Sequence, residues 1–176
     1  MVWVLDKANT EITFSVEHLM VSTVHGRFTE FEADLTLYPD QPGRSRVSAT
    51  IATASLQTDN PARDNDLKSA DFLDAAAYPE ISFVSEEITR LHEDAFWIRG
   101  DLSMHGVTRS VVARGLLEGP TIDAQGHQDV KFTMAAEVDR ADFDLTFGMR
   151  GLLVGKTVTI TIKAEVREVE GEASAA

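Results

Sequence analysis

The stretch TVTITIKAEV, residues 157–166, sets Val158, Ile160, Ile162, Ala164 and Val166 on one side and Thr157, Thr159, Thr161, Lys163 and Glu165 on the other. This alternation marks a strand with one face in a core and the other in water. It recurs along the chain. Phe31, Ala33, Leu35 and Leu37 interleave with Glu30, Glu32, Asp34 and Thr36. Phe96, Ile98, Leu102 and Met104 oppose Trp97, Arg99, Asp101 and Ser103, and Val130, Phe132, Met134, Ala136 and Val138 share a face. Roughly eight strands follow, near 10–17, 24–38, 45–57, 80–90, 94–105, 108–118, 128–139 and 156–168, with a short strand near Val2–Leu5 before them. The segment 24–38 would span roughly 50 Å if straight, at ~3.3 Å per residue. Its apolar phase slips after Phe28, so a bulge or sharp bend is expected near Thr29.

Long amphipathic strands joined by short turns must hide their edges. Closure into an eight-stranded antiparallel barrel does so, and a two-sheet sandwich is the alternative. The inward face carries small residues (Ala33, Ala49, Gly100, Ala113, Gly115, Ala136) among Phe14, Phe31, Phe83, Phe96 and Phe132. Small inward residues leave room, and the aromatics line it, so an apolar cavity is expected; a barrel filled by helices and bulky neighbours is the competing reading.

The chain has 176 residues, a formal net charge of -13 and no cysteine. That suits one domain, taken as residues 1–169, with a disordered tail at 170–176. The negative surface repels phosphate backbones and anionic lipid heads, which argues against nucleic-acid partners. Disulfides, thiol nucleophiles and cysteine-bound zinc are excluded. No basic-then-apolar leader and no run long enough to span a bilayer is seen, so a soluble, cytoplasmic protein without stable membrane insertion is expected. A homodimer is left open.

One segment breaks the alternation: RDNDLKSADFLDAAAYPEISF, residues 63–83. Asp59-Asn60-Pro61 reads as a helix start, and Asp71 as the cap of a second short helix over Phe72–Ala77 that ends before Pro79. Helices this short need an apolar surface to dock on, which places them as a lid over one end of the barrel, between the third and fourth long strands.

In order along the chain, EITFSVEHL, VHGRFTEFEADL, TDNPARDNDLKSADFLDAAAYPEISF, IRGDLSMHGVTRSV and DRADF resemble the YceI-like family. Arg63-Asp64, Leu67, Ser69, Asp71-Phe72, Tyr78-Pro79 and Phe83 carry the most specific part of the likeness. The resemblance implies an all-β, lipocalin-like antiparallel barrel with a deep apolar pocket for a long amphiphile: a polyisoprenoid, an isoprenoid quinone, or a fatty acid or its amide. The chain departs from the family pattern after Asp6, where Lys7-Ala8-Asn9-Thr10 replaces a His-Ser pair, and at Asp144, where the family often has Gly.

The expected ligand-binding set is His18 and Arg63 at the mouth for a polar head group, with Phe14, Phe31, Phe72, Phe83, Phe96, Ile98, Phe132 and Met134 for the chain. The alternative for Arg63 is pairing with Asp64, Asp66 or Asp71 to pin the lid. His18, His25, His92, His105 and His127 show no metal-ligand spacing, and no nucleophile elbow, phosphate loop or dinucleotide fingerprint occurs. No cofactor, metal or catalytic residue is expected. The function expected is a carrier; a hydrolase or isomerase on a lipid-like substrate, or a filled structural barrel, are the alternatives.

Overall fold

The computed structural model describes residues 2–18, 22–146 and 154–171, without the side chains of His18 and Val154. Among the described residues the strands are β1 (Val2–His18), β2 (Ser22–Phe28), β3 (Phe31–Thr36), β4 (Arg46–Ala52), β5 (Leu56–Gln57), β6 (Glu80–Arg90), β7 (Ala95–Met104), β8 (Val107–Ile122), β9 (Gln128–Asp139) and β10 (Val154–Val169). One helix, α1 (Pro61–Lys68), lies between β5 and β6. Neighbouring strands pair in the order β1-β3-β4-β6-β7-β8-β9-β10, and β10 pairs back onto β1. That ring is a closed eight-stranded antiparallel barrel, so the sandwich alternative is set aside. β2 lies along the second half of β1, and β5 along β2.

The expected bend is present. β2 ends at Phe28 and β3 begins at Phe31. Between them the Thr29 N–H donates to Ser55 O at 3.3 Å, and Glu30 O accepts from Ala52 N–H at 2.9 Å. The chain thus leaves β1 and crosses to the β4–β5 connection, which shifts the apolar phase by one residue. The separate N-terminal strand is instead the first part of β1. Asp6 faces Glu165 and Glu11 faces Lys163, so Lys7–Thr10 bulges out opposite Ala164.

α1 starts as its sequence indicates. The Asn60 side chain accepts from Arg63 N–H at 3.1 Å, with Pro61 in the first turn. The second helix expected over Phe72–Ala77 does not form; the segment is a series of turns. Asp74 sits at a left-handed φ of 47°. The Phe72 and Asp74 N–H groups both return to Ser69 O, and Ala75 N–H to Lys68 O. The few residues left before Pro79 are too short to nucleate a helix, whatever the propensity of three alanines. Of the tail read as disordered, residues 172–176 lie outside the described residues.

Two apolar clusters bracket the barrel. At the α1 end Leu56, Leu73, Ile81, Leu102, Val138, Phe143 and Leu145 pack together. Toward the other end Trp3, Val130 and Val166 do so, with Leu5, Leu35, Leu37, Leu117 and Phe132 against them.

Candidate functional site: an apolar chamber inside the barrel

A cavity of about 740 Å³ occupies the barrel between and beside these clusters. Its wall is the inward face of the strands, including Ile12, Ala33, Ala49, Ile98, Ala136 and Ile160. The filled-barrel reading therefore does not describe this chain. At one end α1 and the turns after it contribute Arg63, Asp66, Leu67, Phe72 and Leu73 to the lining. The interrupting segment thus sits over one mouth of the barrel. At the opposite end the lining passes to Pro39, Asp40, Glu93, Asp94 and Pro120, all solvent-exposed, so the chamber opens there.

The room inside depends on how phenylalanine and glycine are combined. Phe14 stands opposite Gly26 in the β1–β2 ladder, and Phe96 opposite Gly115 in the β7–β8 ladder. A Cβ added at Gly26 would fall 2.1 Å from the Phe14 ring, one at Gly115 2.7 Å from Phe96, and one at Gly100 2.6 Å from Phe83. The rings lie against the wall in the space these glycines lack. The glycines do not themselves border the cavity, contrary to the expectation that Gly100 and Gly115 leave open volume. Phe14, Phe83 and Phe96 do border it. Phe14 packs on Phe28 at a centroid distance of 5.6 Å, and Phe96 meets Phe132 edge-on at 5.8 Å.

Phe14, Phe31, Phe72, Phe83, Phe96, Ile98, Phe132 and Met134 all line this one chamber, and Arg63 borders its α1 end. His18 lies at the end of β1, paired along the backbone with Ser22 and Val154; its side chain lies outside the described residues. Arg63 does not bond the aspartates proposed as partners but Thr58: Nε donates to Thr58 Oγ1 at 2.8 Å and Nη2 to Thr58 O at 2.7 Å.

Sequence reasoning passed over Arg140 and Trp3 as lining residues. Arg140 borders the α1 end and donates to Gly155 O at 2.8 Å and Leu145 O at 3.0 Å. Trp3 is buried and also faces the chamber. The run Pro39 to Pro42 connects β3 to β4 at the open rim. His105-Gly106 forms the two-residue β7–β8 turn with both φ positive, and His105 Nδ1 lies 3.0 Å from Phe143 O. Among the described residues no group of three or more His, Asp or Glu is placed to hold a metal ion. None of their helices is long and apolar enough to cross a membrane.

A closed antiparallel barrel around one apolar chamber, capped by a short helical segment, is a lipocalin-like architecture. The chain belongs to the YceI-like family, whose YceI-like domain matches residues 3–166. A UPF0312 protein of Pseudomonas putida (strain GB-1) is 34% identical over 134 residues, covering 76% of this chain and 70% of the relative. The crystal structure of the Campylobacter jejuni YCEI protein is similar with a TM-score of 0.77 at 27% identity, over 95% of this chain and 98% of that one. A domain from Saccharophagus degradans, described as polyisoprenoid binding and implicated in plant cell wall breakdown, shares the fold with a TM-score of 0.74 at 15% identity, over 96% of this chain and 99% of that one.

Proposed function

We propose that this protein is a noncatalytic carrier that holds one long amphiphilic lipid, a polyisoprenoid, isoprenoid quinone or fatty-acid-like chain, in the barrel chamber. The observation that carries this reading is the continuous apolar cavity of about 740 Å³ reaching from α1 to the open rim. A structurally similar domain described as polyisoprenoid binding supports the ligand class.

At ~0.8 kcal/mol per buried CH₂, burying a chain of about two dozen carbons would gain roughly 20 kcal/mol gross, the ceiling of observed affinities. Ordering the tail and imperfect fit offset much of it. Desolvation sets affinity, and selection among tails of similar length is weak. Arg63 is the group assigned to the head, through charge-assisted bonds to phosphate or carbonyl oxygens.

Native mass spectrometry and organic extraction of freshly purified protein test this. One amphiphile bound per chain is expected. A bare mass, an empty extract and no uptake of a fluorescent long-chain fatty acid would together remove the proposal.

A further inference from the structure

Among the described residues the barrel wall is weakly joined between β1 and β3. β1 pairs with β3 at Trp3–Leu35 and with β2 from Ile12–Phe28 onward. Among the described residues no paired positions join residues 4–11 of β1 to residues 29–34. On its other side the same part of β1 leaves β10, because Lys7–Thr10 bulges opposite Ala164. The bulge is held by local bonds. Asp6 accepts from Ala8 N–H at 3.1 Å and from Asn9 Nδ2 at 2.9 Å, and Thr10 Oγ1 donates to Asp6 O at 2.7 Å. Across the seam runs the ion pair of Lys7 and Glu32, with both side chains exposed.

The wall is also thin here. An outer cleft is lined by Lys7, Thr10 to Thr13 and Arg27 to Glu32. Thr10, Ile12, Phe28, Phe31 and Glu32 border both this cleft and the central chamber. The other junctions of the ring are each held by a ladder of at least five paired positions, with local irregularities in β1–β10, β6–β7 and β8–β9, against the single β1–β3 pair.

We infer that the β1–β3 seam is a lateral gate through which a long apolar chain passes into and out of the chamber, with Lys7 and Glu32 as its latch. The inference rests on the carrier reading above. A chain of many carbons threaded end-on must traverse the whole bore. A side slot admits its middle, and the apolar lips of Ile12, Phe28 and Phe31 meet it at once. An exposed ion pair is a weak bolt, whose loss changes a rate by about two- to fivefold.

The protein has no cysteine, so a pair introduced as Lys7→Cys with Glu32→Cys is chemically unique. The probe is a fluorescent polyene fatty acid, followed by stopped flow. Bridging the two thiols with a reducible linker, verified by mass, is expected to slow both uptake and release by tenfold or more, and reduction restores them. Lys7→Ala alone is expected to raise both rates by about two- to fivefold at nearly constant Kd, and the swap of Lys7→Glu with Glu32→Lys to return them toward the original. Unchanged exchange in the bridged protein, with binding intact, overturns the gate and assigns traffic to the open rim. A wild-type protein that takes up no fatty acid at all overturns the carrier reading itself.

Discussion

Thr58 serves Arg63 and Asp64 at once: its hydroxyl accepts from Arg63 Nε at 2.8 Å and donates to Asp64 Oδ1 at 2.6 Å. Asp64 Oδ1 also accepts from the Thr58 N–H at 2.8 Å. The three residues tie the first turn of α1 to the chain entering it, and Thr58 is buried. Arg63 therefore positions the cap while bordering the chamber. Arg63→Ala is expected to cost about 1–2 kcal/mol through two lost bonds to a buried residue. That is ~2–8 °C in Tm for a domain of this size. An unchanged melting curve with weakened lipid binding would assign Arg63 to the head group alone.

The wall glycines give a second expectation. A Cβ at position 100 would stand 2.3 Å from Val84 O, a backbone atom that cannot move aside without disturbing β6. Gly100→Ala is expected to destabilise by about 1–3 kcal/mol, as overpacking does. It also drives the Phe83 ring toward the chamber. Isothermal titration with saturated chains of increasing length should show the upper length limit fall; an unchanged limit would mean the ring has another place to go.

Phe132 borders the cavity and rests edge-on against Phe96. Phe132→Arg puts a charge into an apolar chamber without a partner, and such a group is costly to bury. Chain binding should drop at least tenfold, by fluorescence titration, while Phe132→Leu retains most of it.

Asp144 occupies a left-handed conformation, φ 55°, where its N–H turns back to Ala141 O at 3.1 Å. Gly adopts that conformation without the steric penalty of a side chain. Asp144→Gly is expected to stabilise the fold by about 0.5–1 kcal/mol, read from denaturant midpoints. A clear loss would show that the carboxylate has a role of its own.

The β8–β9 turn should respond to acid. Asp123 accepts from the N–H groups of His127 at 2.9 Å and Gln125 at 2.8 Å, and lies 3.1 Å from His127 Nδ1. The His127 backbone bond, above all, holds its carboxyl below the ordinary value of 3.8. A carboxyl depressed in the folded state stabilises the turn fully above that ordinary value. The contribution fades as pH falls through the lower folded value. Amide resonances of Gln125 and His127 are expected to titrate together with a midpoint below 3.8. A shift centred above 3.8 would contradict the bonding described.

The barrel was legible because its signal is periodic and global: each strand states its own faces, and the phase slip after Phe28 marks the bend between β2 and β3. The Asn60 cap was legible because it is local. Other features were not, because they depend on partners far apart in the chain or on a single backbone angle. Nothing near Asp74 in the sequence announces a left-handed residue, so three alanines read as helix. Arg63 has several aspartates as sequence neighbours, yet its hydrogen bonds go to a threonine. The inward glycines looked like vacant space, and only the cross-strand register reveals that phenyl rings fill it.

With Phe14, Phe83 and Phe96 laid into the hollows of Gly26, Gly100 and Gly115, the bore of this barrel is governed by its smallest residues. Each glycine works as a shim: adding a methyl there tips a ring inward and narrows the tube over one short stretch. The width of the chamber can thus be graded in steps along the axis without altering a residue that lines it.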